Sequence, residues 1–221
     1  MSTGLEAGRL DDVELEGAED DGTDHPDEPS RALAWLLVVG GGIGFLAAAA
    51  LLVERIILAG DPSYVPSCSL NPVLSCGSVM VTEQASLFGF PNPIIGVAAL
   101  PVVIATGMGL LAGARYARWY WLGMQAGVTL ALVFMGWLAF QSVYRINALC
   151  PYCMVVWAAV VPLFWYVTLF NLRAGHLGFG LARSGLTRTL RDYSLLGPLL
   201  VYLVVAGLIL ERFWDYWRTL L

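Results

Sequence analysis

Lysine is absent from the 221 residues, and histidine occurs twice, at His25 and His176. Every strongly basic side chain is therefore an arginine. Charged residues make up 13% of the chain and apolar ones 58%, where a soluble domain averages about 25% and about 45–50%. The apolar excess is gathered into long runs, which excludes an ordinary soluble domain and marks a polytopic membrane protein. Cysteine is confined to Cys68, Cys76, Cys150 and Cys153, and the apolar helical interiors hold none. The two histidines fall in an acidic tail and in an arginine-rich connection, so neither is placed to complete a metal site with the cysteines. No haem-type or flavin-type fingerprint occurs, and no nucleic-acid partner is expected.

The net charge of −5 conceals two opposite regions. Residues 1–30 carry eleven of the seventeen acidic residues and one basic residue, Arg9; the remainder carries eleven arginines against six acids. The tail lacks aromatics and apolar periodicity and cannot bury enough surface to offset its ordering entropy. It is expected to be a solvated, disordered cytoplasmic segment of residues 1–30, preceding a membrane domain of residues 31–221. The acidic flank before the first apolar run is unlike a signal peptide, so the first helix is expected to be retained as an anchor.

Five segments are long enough to cross about 30 Å of hydrocarbon at about 1.5 Å per residue. They are residues 32–59, 93–114, 119–140, 151–170 and 194–210. The fold class expected is all-α. A connection at residues 60–92 is punctuated by Pro, Ser, Gly and Asn, and a short helix beginning at a proline is expected within residues 72–85. Arg31, Arg115, Arg118, Arg173, Arg183, Arg188 and Arg191 fall on one side of the bilayer, and Arg55, Arg145, Arg212 and Arg218 on the other. The richer side is cytoplasmic. That places the N-terminus inside, the C-terminus outside, and all four cysteines on the outer face, where disulfides form and persist.

The sequence CPYC at residues 150–153 begins the fourth segment. Pro151 suits the first position of a helix, which puts Cys150 at the N-cap. Unpaired N–H groups and the helix dipole there stabilise a thiolate. Cys153, three residues on, shares its face. Cys68 and Cys76 are separated by seven residues in a flexible loop, a spacing that lets one cysteine face a soluble partner and the other CPYC. Thiol–disulfide exchange needs that mobility, because the attacking thiolate must reach a disulfide sulfur directly. A redox relay is the reading these positions favour. A four-cysteine zinc site and two structural disulfides in a non-enzymatic scaffold stay open beside it.

A membrane dithiol relay needs an electron acceptor, and the lipid-soluble choice is a quinone entering sideways between helices. Its pocket needs apolar and aromatic walls with one or two hydrogen-bond donors. Trp157 lies one turn beyond Cys153 on the same face, and Asn92 sits at the outer mouth of the second helix. An aromatic at this spacing also suits packing, and an Asn before Pro also suits a turn.

The stretches CSLNPVLSCGSVM at 68–80, FGFPNPIIG at 88–96 and CPYC at 150–153, in that order, resemble the vitamin K epoxide reductase family in its bacterial form. The resemblance is clearest over residues 33–170. It implies a four-helix bundle around a quinone, menaquinone or ubiquinone, with a fifth transmembrane helix, in the inner (cytoplasmic) membrane of a bacterial cell. It also implies roles. Cys150 and Cys153 are the active-site pair, with Cys153 nearest the quinone. Cys68 and Cys76 are the shuttle pair, Cys68 meeting a thioredoxin-fold (DsbA-like) partner in trans and Cys76 bridging to Cys150. Asn92 matches the quinone-binding Asn, and Thr82 the small hydroxyl residue near the quinone. Trp157 stands where the animal enzyme has Tyr. The implied activity is disulfide formation outside the cytoplasm with electrons passed to a quinone. Reduction of a quinone or epoxide at the expense of thiols is the alternative within the same chemistry.

Overall fold

A computed structural model of the chain describes residues 29–178, 189–190 and 193–218. The acidic tail to residue 28, and Arg183, Arg188 and Arg191 of the charge count, lie outside them. The described residues are mostly helical. Helix α1 spans Arg31–Gly60, α2 Cys76–Met80, α3 Pro93–Leu111, α4 Arg118–Gln141, α5 Pro151–Arg173, α6 Leu196–Arg212 and α7 Trp214–Arg218. A 3-10 turn, Glu83–Ser86, separates α2 from α3, and a π-turn, Ser142–Ile146, ends α4.

Among the described residues, four helices are long and apolar enough to cross a membrane: α1, α3, α4 with its π-turn, and α5. The fifth apolar segment forms α6, which at 17 residues rises about 25 Å. The 30 residues of α1 reach about 45 Å, well beyond the hydrocarbon thickness. Its last turns carry Glu54 and Arg55 at the end where the cysteines gather.

Helix α1 packs along both α3 and α5, and α5 packs along α4. Small residues set the α1–α3 distance. A Cβ on Gly107 would stand 2.7 Å from the Ala34 carbonyl oxygen, and one on Gly96 would stand 2.9 Å from the Ala48 Cβ. Without a hydrophobic force between helices in lipid, such close approach is the main source of association. At the end away from the cysteines, the Thr106 and Tyr120 hydroxyls meet at 2.5 Å and join α3 to α4. There, fully buried Asn171 of α5 donates to the Trp121 carbonyl and to Gln125 of α4. Helix α6 leans on α5: the Trp165 indole donates to the Ser194 carbonyl at 2.7 Å and the Tyr202 hydroxyl to the Ala158 carbonyl at 2.6 Å.

The connection between α1 and α3 departs from expectation in one respect. The short helix starts at Cys76, capped by the Ser75 hydroxyl, and not at Pro72. Residues 73–75 are instead extended and pair with Leu149. Leu149 N–H donates to the Val73 carbonyl at 2.7 Å, and Ser75 N–H donates to the Leu149 carbonyl at 2.9 Å. Asn71 holds the approach to this bridge by accepting from Val73 and Leu74 N–H at 3.0 and 2.7 Å.

Gly107→Leu is expected to wedge α1 from α3 and lower the thermal midpoint of the detergent-solubilised protein, overpacking of this kind costing about 1–3 kcal/mol. Gly42 has open space where its Cβ would be, so Gly42→Leu should leave the midpoint unchanged.

Candidate functional site

The bridge delivers Cys76, at the first turn of α2, to Cys150, at the start of α5. Their sulfurs lie 3.2 Å apart. Cys76 is also in a disulfide with Cys68, with Cα atoms 5.6 Å apart, while Cys150 and Cys153 are thiols. Cys150 occupies the N-cap predicted for it, and its sulfur accepts from the Cys153 N–H at 3.4 Å. The side-chain hydrogen bond from Cys153 holds the Cys150 thiol below its ordinary range; burial opposes this, and the backbone N–H groups of Cys153 and Tyr152 add to the lowering. A lowered pKa makes Cys150 a better leaving group in exchange.

Cys68, Cys76 and Cys150 are all buried and pack with Leu51 and Met80, bordered by Val79, Tyr152 and Cys153. Their three sulfurs fall within 4.8 Å of one another, close enough to share a metal. The Cys68–Cys76 bond uses both thiolates, which are the form that ligates zinc. Collinear access of a thiol to a bonded pair is what disulfide exchange requires.

Beneath the sulfurs lies a cavity of about 170 Å³ enclosed by α1, α3, α4 and α5. Cys150 and Cys153 line its upper end, with Val79 and Met80 of α2 above. Trp157 and Phe134 give aromatic walls, and Ile95, Leu100, Leu138 and Val160 aliphatic ones. Phe134 is in turn covered by Phe88 of the loop, ring centroids 5.8 Å apart. The polar groups are few: Asn92, Ser142, the cysteines and Arg55, the one charged side chain in the lining. An apolar slot with a few convergent donors fits a planar ring bearing two carbonyl oxygens.

The structure thus brings Cys150, Cys153, Asn92 and Trp157 to one cavity, with Cys76 and Cys68 stacked outside it. Thr82 is not in the lining; its hydroxyl donates to the Val79 carbonyl at 2.7 Å. Asn92 lines the cavity and also holds the turn before α3. Its amide donates to the Gln84 carbonyl at 2.6 Å and accepts from Leu87 N–H at 3.2 Å, closing the turn before α3. One amide hydrogen is left for the cavity. Sequence reasoning missed Arg55 as a lining residue. Its position seven residues beyond Ala48, which also lines the cavity, was the available signal, since two helical turns return to the same face.

Spanning helices, a buried dithiol–disulfide stack and an apolar cavity below it define a membrane redox protein. The description "vitamin K epoxide reductase family" matches residues 35–168, more than half of the chain, and the chain belongs to that family. Among curated proteins none matches. The family is one of membrane disulfide and quinone oxidoreductases, and the proximity of these cysteines fits a redox role.

Asn92→Ala is expected to lower the thermal midpoint as well as quinone affinity, because it breaks two turn bonds worth about 0.5–1.5 kcal/mol each. Weakened quinone binding with an unmoved midpoint would show that the turn bonds are expendable.

Proposed function

We propose that this protein oxidises thiols of a thioredoxin-fold partner and passes the electrons through Cys68/Cys76 and Cys150/Cys153 to a quinone, menaquinone or ubiquinone. The observation that carries the reading is the 3.2 Å contact between Cys76, a member of one pair, and Cys150, a member of the other. A fixed structural staple has no need of a second thiol against it.

The steps follow from the order of the sulfurs. A partner thiolate attacks Cys68, and a second partner thiol resolves that mixed disulfide, leaving the partner oxidised and Cys68 and Cys76 as thiols. The Cys76 thiolate then attacks Cys150 of an oxidised Cys150–Cys153 pair. The Cys150–Cys153 bond breaks, the Cys76–Cys150 bond forms, and Cys153 leaves as thiolate. Cys68 next attacks Cys76 and releases Cys150, which restores the Cys68–Cys76 disulfide. Two electrons have moved inward, and the arrangement described above, one pair bonded and the other as thiols, corresponds to this stage. A quinone bound in the cavity would take up the two electrons and two protons that the Cys150 and Cys153 thiols give up as their disulfide re-forms. Cys153 faces that cavity from the first turn of α5, Asn92 offers an amide hydrogen, Arg55 supplies a positive charge, and Trp157 forms a wall. Thr82 acts behind this shell, through its bond to Val79.

Lateral access for a lipid-soluble acceptor lies between α3 and α4. These helices are tied by Thr106 and Tyr120 at the far end and both border the cavity at the near end. We place the cysteines on the outer face of a bacterial inner membrane, with α6 as a fifth crossing and residues 1–30 as a solvated cytoplasmic tail. The arginine count over the whole sequence, seven against four, supports that sidedness, and Arg31, Arg118 and Arg173 sit at helix ends opposite the cysteines.

In the double variant Cys68→Ser/Cys153→Ser, Cys76 and Cys150 are expected to form a disulfide with each other, detected by peptide mapping under non-reducing conditions. Two reduced thiols persisting after mild oxidation would refute the relay order. Trp157→Phe should retain most quinone reduction and Trp157→Ala lose it. Equal damage in both would assign the role to the indole N–H.

A further inference from the structure

Glu54 is a buried carboxylate, 8% exposed, near the C-terminal end of α1. Such a group is retained in an apolar setting only if it is well satisfied. Here every partner comes from the cysteine loop. The Ser67 hydroxyl donates to it at 2.5 Å, the Tyr64 hydroxyl at 2.8 Å and the Ser67 N–H at 3.4 Å. The Ser67 hydroxyl also lies 3.4 Å from the hydroxyl of Tyr152, the residue between Pro151 and Cys153 in CPYC. Ser67 immediately precedes Cys68. One carboxylate on α1 therefore holds the segment that carries Cys68 against the segment that carries Cys150 and Cys153.

Cys68 itself is only 5% exposed, although Val65 and Leu70 on either side are 71% and 69% exposed. The loop is thus open to water around a cysteine that is shut in. The docked position suits the internal step, in which Cys68 must stay beside Cys76 to release Cys150.

We infer that Glu54 is a positioning residue that latches the Ser67–Cys68 segment onto the site, keeping Cys68 in place to resolve the Cys76–Cys150 disulfide and shielding it from solvent. This rests on the relay order proposed above. Without the latch, Cys76 still attacks Cys150 and expels Cys153, because the Val73–Leu149–Ser75 bridge is separate from it. Cys68 then drifts, and the Cys76–Cys150 bond outlives its usual turnover.

The test uses full-length protein in detergent, with reduced thioredoxin as donor and a short-chain ubiquinone as acceptor. Acid quenching, alkylation and peptide mapping measure the steady-state share of Cys76–Cys150. Glu54→Ala is expected to raise that share and to slow thioredoxin-driven quinone reduction roughly tenfold, the loss of one charge-assisted hydrogen bond. It should also quicken reduction of Cys68–Cys76 by a water-soluble phosphine. In a Cys68→Ser/Cys76→Ser background, where dithiothreitol reduces CPYC directly, the same substitution should leave the rate unchanged. A Cys76–Cys150 share equal to that of the unsubstituted protein overturns the latch, as does an equal loss in the dithiothreitol assay. Should Glu54→Ala not fold, Ser67→Ala and Tyr64→Phe, made singly, each remove one bond from the loop side while the other donor still serves the carboxylate, and the same mapping decides. If dithiothreitol drives no quinone reduction even with Glu54 present, the quinone reading fails, while the mapped disulfides still judge the latch.

Discussion

Two backbone hydrogen bonds between residues 73–75 and Leu149 carry the geometry on which everything else at this site depends. They join chain segments 74 residues apart and fix the start of α2 beside the start of α5. Their energetic share is small, about 0.5–1.5 kcal/mol each. Their value lies in distance, because exchange between sulfurs needs direct approach. The bridge is covered from behind, where Val73, Val143, Leu149 and Phe213 form a buried cluster. Arg212 at the end of α6 donates to the Asn147 side chain at 2.5 Å. The fifth apolar helix, peripheral to the bundle, thus ends as a brace for the catalytic junction.

The bundle below supplies a different kind of order. Helix α1 is pressed into α3 by small residues and lies along α5, so three helices form a firm wall. Helix α4 completes the cavity but is held mainly by α5, by the Thr106–Tyr120 contact and by the buried amide network around Asn171. On the proposed function, entry of a lipid-borne acceptor from the side would be served by one firm flank and one lightly tied flank.

Much of this was legible in the sequence. Long apolar runs located the helices to within a few residues, because hydropathy is a local property. The Cys150 cap was legible for the same reason: Pro151 fixes a helix start whatever surrounds it. The helix expected from Pro72 was displaced to Cys76, since residues 73–75 are claimed by Leu149, a partner no local pattern reveals. Asn92 was read as either a turn residue or a cavity donor, and its amide has capacity for both. Arg55 was read only for its side of the bilayer, and the opposite fates of Glu54 and Arg55, one bound to the loop and one facing the cavity, depend on where the loop folds back. Thr82 illustrates the limit of matching by position: its hydroxyl is already spent on the Val79 carbonyl.

The π-turn at Ser142–Ile146 ends on Asn147 in the left-handed region, φ 56°. A π-turn is an α-helix with one residue too many, and such insertions are rare. Successive helical residues are about 100° apart around the axis. The extra residue therefore acts as a phase setting: it decides the face from which the chain leaves α4 and so the direction in which Leu149 presents its N–H and carbonyl. Losing any one residue of the turn would rotate the exit by about 100°, more than a quarter of a circle. For this stretch, the number of residues sets the geometry as much as their side chains do.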